Sequence, residues 1–282
     1  HFAEGKPYIS AATGYGVSAD RARSLLWNRL FHGNAGAIIF WWVAIQNPDL
    51  SFCQAGQDLG AVIGELRQGV GRLVFEADRQ LDPVAVHYSM ASMQASWIAT
   101  GGMEAYSGAL DAWWQALQSL GYQPHFISSR QIEQGVLTER GYKALVMPRS
   151  LALSALEQAQ IDRMVAAGGV VLGNDVKVGA YDGDLAPNPA PRVPRGYVVA
   201  DPAADRRMIA DRLVAAGAAV PVIVQSPTGQ PLDNVEIVRF QLDDVALVGF
   251  LRPPVGSKEV VGPDGVIRYE PDPAAEIGRA HV

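Results

Sequence analysis

The sequence predicts an α/β protein in which short apolar strands alternate with amphipathic helices. A strand–helix–strand–helix pattern occupies residues 1–80, the alternation restarts after Pro83, and β-rich runs replace it beyond residue 220. Of the 282 residues, 49% are apolar and 18% are charged, as in folded proteins. The formal net charge of -6 argues against nucleic acid or an anionic membrane as a partner.

The first 80 residues contain two predicted strands, each followed by a helix. Residues 6–12 form the first strand and lead into the turn "TGYG". Ser18 or Asp20 can cap the next helix, whose apolar face comprises Ala22, Leu25, Leu26 and Leu30. Residues 37–42 are continuously apolar, which is typical of a parallel strand covered on both faces, and a second helix is predicted over residues 57–75.

After a predicted linker at residues 79–83, a second alternating pattern begins. The strands are "PVAVHYS", "QPHFIS", "KALVMP" and "GVVLGN", and the helices cover residues 105–120, 155–167 and 205–216. Ser154 and Glu157 have the spacing of a capping box. This alternation predicts a parallel sheet with helices on both faces.

The C-terminal part of the chain changes character. The run "NVEIVRFQLDDVALVGFLRP" predicts a hairpin that turns at Asp243 and Asp244, and residues 256–273 are turn-rich enough for a second one. The ending "EIGRAHV" is similar to a translated sequencing adaptor, so we expect residues 276–282 to be an adaptor-derived tail, with a natural tail as the alternative. Because the chain opens on His1, we expect it to be a fragment of a longer protein.

Trp41 and Trp42 end the apolar strand at residues 37–42 and are the first candidates for a binding site. Active sites of parallel barrels lie at the carboxyl ends of the strands, and the face of a tryptophan there can stack on a sugar ring. Gln46 follows on the loop and could hydrogen-bond sugar hydroxyls. The alternative is one core tryptophan and one surface tryptophan.

Several motifs carry a resemblance to a known family. "RARSLLWNRLFHGNAGAIIFWW" and "GELRQGVGRL" resemble the last strand–helix units of the β-galactosidases of glycoside hydrolase family 42. "PVAVHYSMASMQASWI", "GALDAWWQALQSLGYQPHFIS" and "YKALVMPRSLALS" resemble the trimerisation domain that follows that barrel.

The resemblance implies a three-part architecture. Residues 1–80 would be the end of a (β/α)₈ barrel, residues 83–220 a flavodoxin-like trimerisation domain with the fold of class I glutamine amidotransferases, and residues 221–275 a β-rich segment. The implied full-length parent would be a homo-oligomer, a trimer, that acts on carbohydrate without nucleic acid or membrane partners.

The same resemblance implies a retaining mechanism with two glutamates. The acid/base would precede His1, and the nucleophile would fall in or near "KPYISAATGYG". Where the family has Glu-Thr-Gly, this chain has Ala12, Thr13 and Gly14, and Glu4 lies at the wrong end of the strand. Either the nucleophile has been lost or this branch places its carboxylate elsewhere, so we assign no catalytic residue. The resemblance does support a sugar-site wall formed by Trp41, with Trp42, Tyr15 and Gln46 as further substrate-binding candidates.

Other reactive residue types do not form a recognisable site in the sequence. Amidotransferase chemistry needs a cysteine on a strand-to-helix turn, and the single cysteine, Cys53, lies elsewhere. His87 and His125 fall in apolar strands without a second ligand at metal-site spacing, which predicts core histidines. Trp113 and Trp114 belong to an apolar helix stripe that favours packing. No metal and no cofactor are predicted.

Two functions remain open at this point, beside a third possibility that the chain is an unrelated α/β protein that shares only the packing patterns, since a fold does not determine function. The first is a fragment of a β-galactosidase-like glycoside hydrolase that is inactive alone. The alternative is a non-catalytic carbohydrate-binding or oligomerisation protein on the same scaffold, which Ala12 favours. One cysteine fits a reducing, cytoplasmic compartment without fixing the location.

Overall fold

The computed structural model describes residues 8–13, 19–40, 45–174, 177–219, 224, 235–251, 257–261 and 267–271. The chain divides into two compact units. The central unit holds Leu81–Asp233, and the terminal unit holds Ala3–Gln80 together with Asn234–Val282. Both units mix helices with strands, so the α/β prediction is confirmed, while the domain boundaries drawn from the sequence stay a prediction.

The terminal unit is formed by two separate stretches of the chain, and the central unit by the stretch between them. The first part of the terminal unit contains β1 (Tyr8–Thr13), α1 (Ala19–Phe31), β2 (Asn34–Phe40), α2 (Gln54–Leu66), α3 (Gly69–Glu76) and β3 (Asp78–Gln80). The central unit contains β4 (Val84–Tyr88), α4 (Met90–Thr100), α5 (Glu104–Ser119), β5 (His125–Ser128), α6 (Ser129–Glu133), α7 (Val136–Glu139), β6 (Ala144–Met147), α8 (Ala155–Ala166), β7 (Val170–Gly173), β8 (Tyr197–Val199) and α9 (Arg206–Ala215). The second part of the terminal unit contains β9 (Glu236–Leu242), β10 (Val245–Leu251), β11 (Ser257–Val261) and β12 (Ile267–Pro271).

The pair β1–β2 is parallel and has one covered face and one open face. Helices α1 and α2 cover one face around a core to which Ile39 of β2 contributes. The register pairs Ile9 with Gly36 and Ala11 with Ile38, so Ile9 and Ile38 lie on the opposite face. Their side chains are 57% and 52% exposed. Parallel strands are normally buried on both faces, so this apolar face lacks its usual cover.

The helix predicted over residues 57–75 is in fact two helices. Helix α2 ends at Leu66, and α3 starts at Gly69, which has a φ of +51°. This left-handed conformation suits glycine and cannot continue an α-helix. The backbone conformation of Gly69 therefore interrupts the helix, and the apolar periodicity of the sequence does not reveal the interruption.

The hairpin predicted around Asp243 and Asp244 is confirmed. Strands β9 and β10 pair antiparallel from Glu236↔Leu251 to Leu242↔Val245. Strand β3 joins their sheet by pairing with β9, although a linker was predicted there. Its three residues are too few to show an alternating pattern. Strands β11 and β12 form a separate antiparallel pair, as the second hairpin prediction required.

The central unit is built on a five-stranded parallel sheet in the order β5-β4-β6-β7-β8. Strands β4 and β6 are adjacent and parallel, which confirms that both belong to one sheet. One core packs on the α8 side, where Ile161 is fully buried. A second core packs on the α5 and α9 side, where Trp113 and Ile209 are fully buried. Helices therefore cover both faces of this sheet.

The capping box predicted from Ser154 and Glu157 is present at the start of α8. The Ser154 hydroxyl accepts from the Glu157 backbone N–H, and the Glu157 carboxylate accepts from the Ser154 N–H. Helix α4 was not predicted, because the run "MASMQASWIAT" contains no charged residue and no apolar stripe against a polar face. None of the described helices has the length and hydropathy needed to cross a membrane.

Gly249 provides a test of packing in the terminal unit. A Cβ atom at Gly249 would lie 2.6 Å from Cε2 and 2.7 Å from Cζ of Phe31. The Phe31 ring is fully buried and packs against Trp27 and Phe240, so it has little room to move. We expect Gly249→Ala to lower the free energy of unfolding by about 1–3 kcal/mol in urea denaturation.

The matched control is Gly60→Ala in α2, where the added Cβ has no neighbour within 4 Å. Alanine is the better helix former, so this change should stabilise by up to about 1 kcal/mol. Equal unfolding midpoints for the two variants would contradict the tight packing at Gly249.

Candidate functional site

The carboxyl edge of the β1–β2 pair is where the sequence predicts a sugar site. Thr13 and Phe40 are register partners, so both strands end at the same edge. Tyr15, Trp41 and Trp42 follow these strand ends in the sequence and lie outside the described residues. Their role as a sugar-site wall therefore stays a prediction.

Strand β1 carries no acidic residue. Its sequence is YISAAT, and Ala12 pairs with Ile39 one residue before the end of the strand. Ala12 occupies the position at which the resemblance implies a nucleophilic glutamate. A methyl group can neither attack a glycosidic carbon nor transfer a proton, so β1 offers no catalytic group of the implied kind.

Gln46 is the one predicted substrate-binding residue within the described part of the chain. It forms an isolated antiparallel bridge with Phe52, and its side-chain Nε2 donates to the Leu50 carbonyl at 2.7 Å. In the same loop, Asn47 Nδ2 donates to Ser51 Oγ at 2.9 Å. The amide nitrogen of Gln46 therefore holds its own loop closed, while its Oε1 is buried without a hydrogen-bond partner among the described residues.

A second place to look for a site is the carboxyl edge of the five-stranded sheet. Ligands of such sheets bind outside the carboxyl ends of the strands, where the strand order reverses. Here the order reverses at β4, which lies between β5 and β6. His87 of β4 is fully buried at this point.

His87 connects the segments that follow the three adjacent strands. Its Nδ1 lies 3.1 Å from Ser150 Oγ, after β6. Its Nε2 lies 3.1 Å from Ser129 Oγ, after β5, and 3.1 Å from Glu157 Oε1 on α8. We call His87, Ser129, Ser150 and Glu157 the His87 cluster.

The environment of Glu157 favours its charged form. Burial alone would raise the pKa of this carboxyl. The contact and charge of His87, the Ser154 backbone N–H and the Ser129 hydroxyl together outweigh burial and lower the pKa below its ordinary value of 4.5. Ser154 adds a further link, because its hydroxyl donates to Glu133 Oε1 at 2.6 Å.

The His87 cluster has the residue types of an acyl-transfer triad, but a substrate has no access to its Ser150 hydroxyl. Ser150, His87 and Glu157 form a serine–histidine–carboxylate chain. Ser150 and His87 are both fully buried, and Glu157 is 2% exposed, so a substrate cannot reach the hydroxyl. The arrangement pairs both nitrogens of the buried His87 ring and connects the loops of the parallel sheet, which agrees with the prediction of a core histidine.

Neighbouring serines have structural roles as well. Ser89 caps α4 by accepting from the Ser92 N–H at 3.0 Å. Ser92 Oγ donates to the Ala152 carbonyl and accepts from its N–H, both at 3.1 Å. These bonds cap α4 and connect it to the loop that contains Ala152. Sequence reasoning singled out His87 and Glu157 separately, but their pairing depends on the strand order.

The remaining candidates agree with packing functions. Trp113 is fully buried, and Trp114 stacks on Phe126 at 5.0 Å between ring centroids. The His125 ring contacts Tyr142 edge-on at 5.4 Å. Cys53 precedes α2 and is partly exposed. Among the described residues, no three His, Cys, Asp or Glu side chains are grouped to hold a metal ion.

The charge of Glu157 can be tested separately from its capping bonds. Glu157→Gln keeps a residue that completes a capping box but removes the negative charge beside His87. We expect the free energy of unfolding at neutral pH to fall by about 1–3 kcal/mol. Urea denaturation measures this change.

The pH dependence follows from the lowered pKa. Since the folded pKa of Glu157 lies below 4.5, its contribution to stability is complete above that value and is lost as the pH falls through the folded pKa. The difference in the free energy of unfolding between the wild-type protein and Glu157→Gln should therefore become smaller as the pH falls. Glu139→Gln, at an exposed position of α7, serves as the control and should have the wild-type free energy of unfolding at every pH. A difference between Glu157→Gln and wild type that grows as the pH falls would contradict a lowered pKa of Glu157.

Comparison with known proteins finds similarity in structure and not in sequence. No protein-family model matches the chain, and no curated protein matches its sequence. The β-galactosidase from Rahnella sp. R3 matches with a TM-score of 0.65 and 13% identity, over 93% of this chain and 52% of that chain. A catalytic mutant of Gan42B, a GH42 β-galactosidase from G. stearothermophilus, matches with a TM-score of 0.63 and 12% identity, over 92% and 51%.

A third similar structure is the apo exo-carrageenase GH42 from Bacteroides ovatus. It matches with a TM-score of 0.59 and 13% identity, over 87% of this chain and 35% of that chain. The chain thus spans between about a third and half of the length of these proteins. Over most of its own length, the chain therefore has the fold of part of the GH42 glycoside hydrolases.

Proposed function

We propose that the chain is the C-terminal part of a glycoside hydrolase of the GH42 type that acts on carbohydrate. The observation that carries this proposal is the structural match over 87–93% of the chain to GH42 proteins described as β-galactosidases or as an exo-carrageenase. The activity of those proteins resides in chains of which this one covers only a part.

The architecture proposed from the sequence agrees with the described elements. The β1–α1–β2 unit would be the end of a (β/α)₈ barrel, and its open apolar face, with Ile9 and Ile38, is where further barrel side chains would pack. Numbered within the central unit, the sheet order β5-β4-β6-β7-β8 becomes 2-1-3-4-5, the flavodoxin-like order. We therefore assign the central unit as the trimerisation-like domain and expect the parent protein to be a homotrimer.

The chain alone should not hydrolyse glycosides. A barrel of this kind takes about 250 residues to close, and only residues 1–80 are available. Ala12 stands where a nucleophile is implied, and the described part of β1 has no carboxylate. Hydrolysis with retention needs a general acid and an attacking carboxylate.

Ala12 also supports the second candidate function. A barrel that has lost its nucleophile can still bind sugar through aromatic stacking. The non-catalytic alternative is thus a carbohydrate-binding or oligomerisation protein on the same scaffold. Both candidates place carbohydrate against Trp41, with Trp42, Tyr15 and Gln46 beside it.

Catalysis is tested by chromophore release from aryl galactosides, glucosides and arabinosides with the purified chain. We expect no release above buffer, because both carboxylates are missing. Turnover that disappears when a single Asp or Glu in residues 1–80 is replaced would show that the active site lies within this chain.

Sugar binding is tested by calorimetry with galactose and galacto-oligosaccharides. Trp41→Ala should weaken binding about tenfold or more, since a stacked ring contributes roughly 1–3 kcal/mol. Trp97→Ala, a change at a half-exposed tryptophan of the central unit, is the control and should leave affinity unchanged. Unchanged affinity in Trp41→Ala would remove Trp41 from the site.

A cationic iminosugar distinguishes the two candidate functions in the full-length parent. Paired catalytic carboxylates attract the ammonium group of deoxygalactonojirimycin and should make it bind far more tightly than neutral galactose. Equal affinities would support the non-catalytic alternative.

A further inference from the structure

A cavity of about 530 Å³ lies in the central unit, beside the loops that follow β6 and β7. Its walls are the end of α4, the loop after β6 with Arg149 and Leu151, and the loop after β7 with Lys177 and Tyr181. We call it the Arg149 cavity. Small-molecule sites measure about 300–1,000 Å³, and ligands of doubly wound sheets bind outside the carboxyl ends of the strands. The Arg149 cavity therefore has the size and the position of a ligand site.

The Arg149 cavity is lined by two cations. Arg149 follows β6, Lys177 follows β7, and none of the described residues that line the cavity is acidic. Asp182, in the loop after β7, accepts from the backbone N–H groups of Asp184 and Ala186, both at 2.9 Å. Its carboxylate is thus bonded within its own loop. In a chain of net charge -6, this cavity is suited to an anionic group.

The backbone of Arg149 is held in an unusual conformation. Its φ of +41° lies in the left-handed region that favours glycine. Its N–H donates to Asn174 Oδ1 at 3.0 Å, and its Nε donates at 2.9 Å to the hydroxyl of the fully buried Ser96. Strained residues that their surroundings fix in this way cluster at ligand sites. The sequence therefore places a long cationic side chain where glycine would fit better, and α4 orients its guanidinium.

The two loops that form the cavity are bonded to each other. The Tyr181 N–H donates to the Leu151 carbonyl at 3.0 Å, and the Leu153 N–H donates to the Tyr181 carbonyl at 3.1 Å. The Gly179 N–H donates to the Ser150 carbonyl at 3.2 Å. These bonds hold the walls in place before a ligand arrives, so binding costs little ordering of the loops.

The rest of the lining is suited to the body of a sugar. Tyr181 contributes an aromatic ring with a hydroxyl, and Leu151, Pro187 and Ala99 contribute apolar surface. An aromatic ring can pack against the apolar face of a sugar. A guanidinium recognises sulfate, phosphate and carboxylate groups through its planar set of donors.

We propose that the Arg149 cavity binds an anionic saccharide, which is a sugar ring that carries a sulfate, phosphate or carboxylate group. Arg149 and Lys177 bind the oxyanion, and Tyr181 packs against the ring. The choice of a sugar rests on the proposed function, whereas the choice of an anion rests on the cavity itself. This site belongs to the central unit and is distinct from the sugar-site wall predicted at Trp41.

The test is calorimetry at neutral pH on the purified chain and on its Trp41→Ala variant, in which the predicted sugar-site wall is removed. The ligands are galactose 6-sulfate, galactose 6-phosphate and galacturonate, compared with galactose and inorganic sulfate. In both proteins the tightest of the three anionic sugars should bind at least about tenfold more tightly than galactose or inorganic sulfate, because it engages the cations and the ring surface together. Its affinity should fall as salt is added.

Two variants remove the cations one at a time. Lys177→Gln changes an exposed side chain. Arg149→Gly suits the φ of +41°, so circular dichroism should show a folded protein. Each variant should weaken binding of the anionic sugar at least about tenfold. The matched control, Arg207→Gln, removes one positive charge at an exposed position of α9 and should keep the wild-type affinity.

The outcomes separate this site from the proposed function. Anionic sugars that bind no better than galactose, or that bind both cavity variants as tightly as wild type, would overturn the site. Inorganic sulfate that binds as tightly as the sugar ester would overturn the saccharide as its ligand. If the sulfate ester binds and neutral galactose does not, the Arg149 cavity is supported while the sugar-site wall at Trp41 fails.

Discussion

A parallel β-sheet needs apolar cover on both faces, and this requirement bears on both parallel sheets that the structure describes. The central unit meets it: β4, β6 and β7 lie between the core around Ile161 and the core around Trp113. The β1–β2 pair meets it on one side, where α1 and α2 pack over Ile39, and leaves Ile9 and Ile38 exposed on the other. A sheet of two strands is marginal on its own. The same physical rule thus describes a parallel sheet with two covered faces in one unit and a parallel pair with one covered face in the other.

When both faces of a sheet are covered, the loops at its carboxyl edge carry buried polar groups that need hydrogen-bond partners. In many doubly wound proteins a ligand fills the crevice at the point where the strand order reverses. Here His87 fills it and binds the segments after β5 and β6 and the start of α8 through Ser129, Ser150 and Glu157. A buried cluster of this kind stabilises only when its members are paired, because an unpaired charge in the interior is costly. The crevice therefore contributes rigidity to this unit, and its reactive residue types are not a sign of catalysis.

The sequence was sufficient for the features that depend on local chemistry. Strands β4, β6 and β7, the capping box at Ser154, and the hairpin at Asp243 each follow from periodicity or turn residues. The break before Gly69, strand β3 and helix α4 were missed. A left-handed glycine, a long-range strand pairing and a helix without a charged face leave no periodic signal in the sequence. The His87–Glu157 contact joins residues 70 positions apart, which only the strand order brings together. Tyr15, Trp41 and Trp42 lie outside the described residues, so the sugar-site wall still depends on the sequence alone.

Two of the exposed apolar surfaces among the described residues, one on the β1–β2 pair and one on α4, differ in what can cover them. The β1–β2 pair has no third strand among the described residues, so a strand that joined it would supply hydrogen bonds as well as apolar contact with Ile9 and Ile38. Helix α4 offers only the side chains of Met90, Trp97 and Ile98, since the backbone of a helix is already bonded within itself. Cover for the β1–β2 pair therefore involves backbone pairing, whereas cover for α4 involves side-chain contact alone.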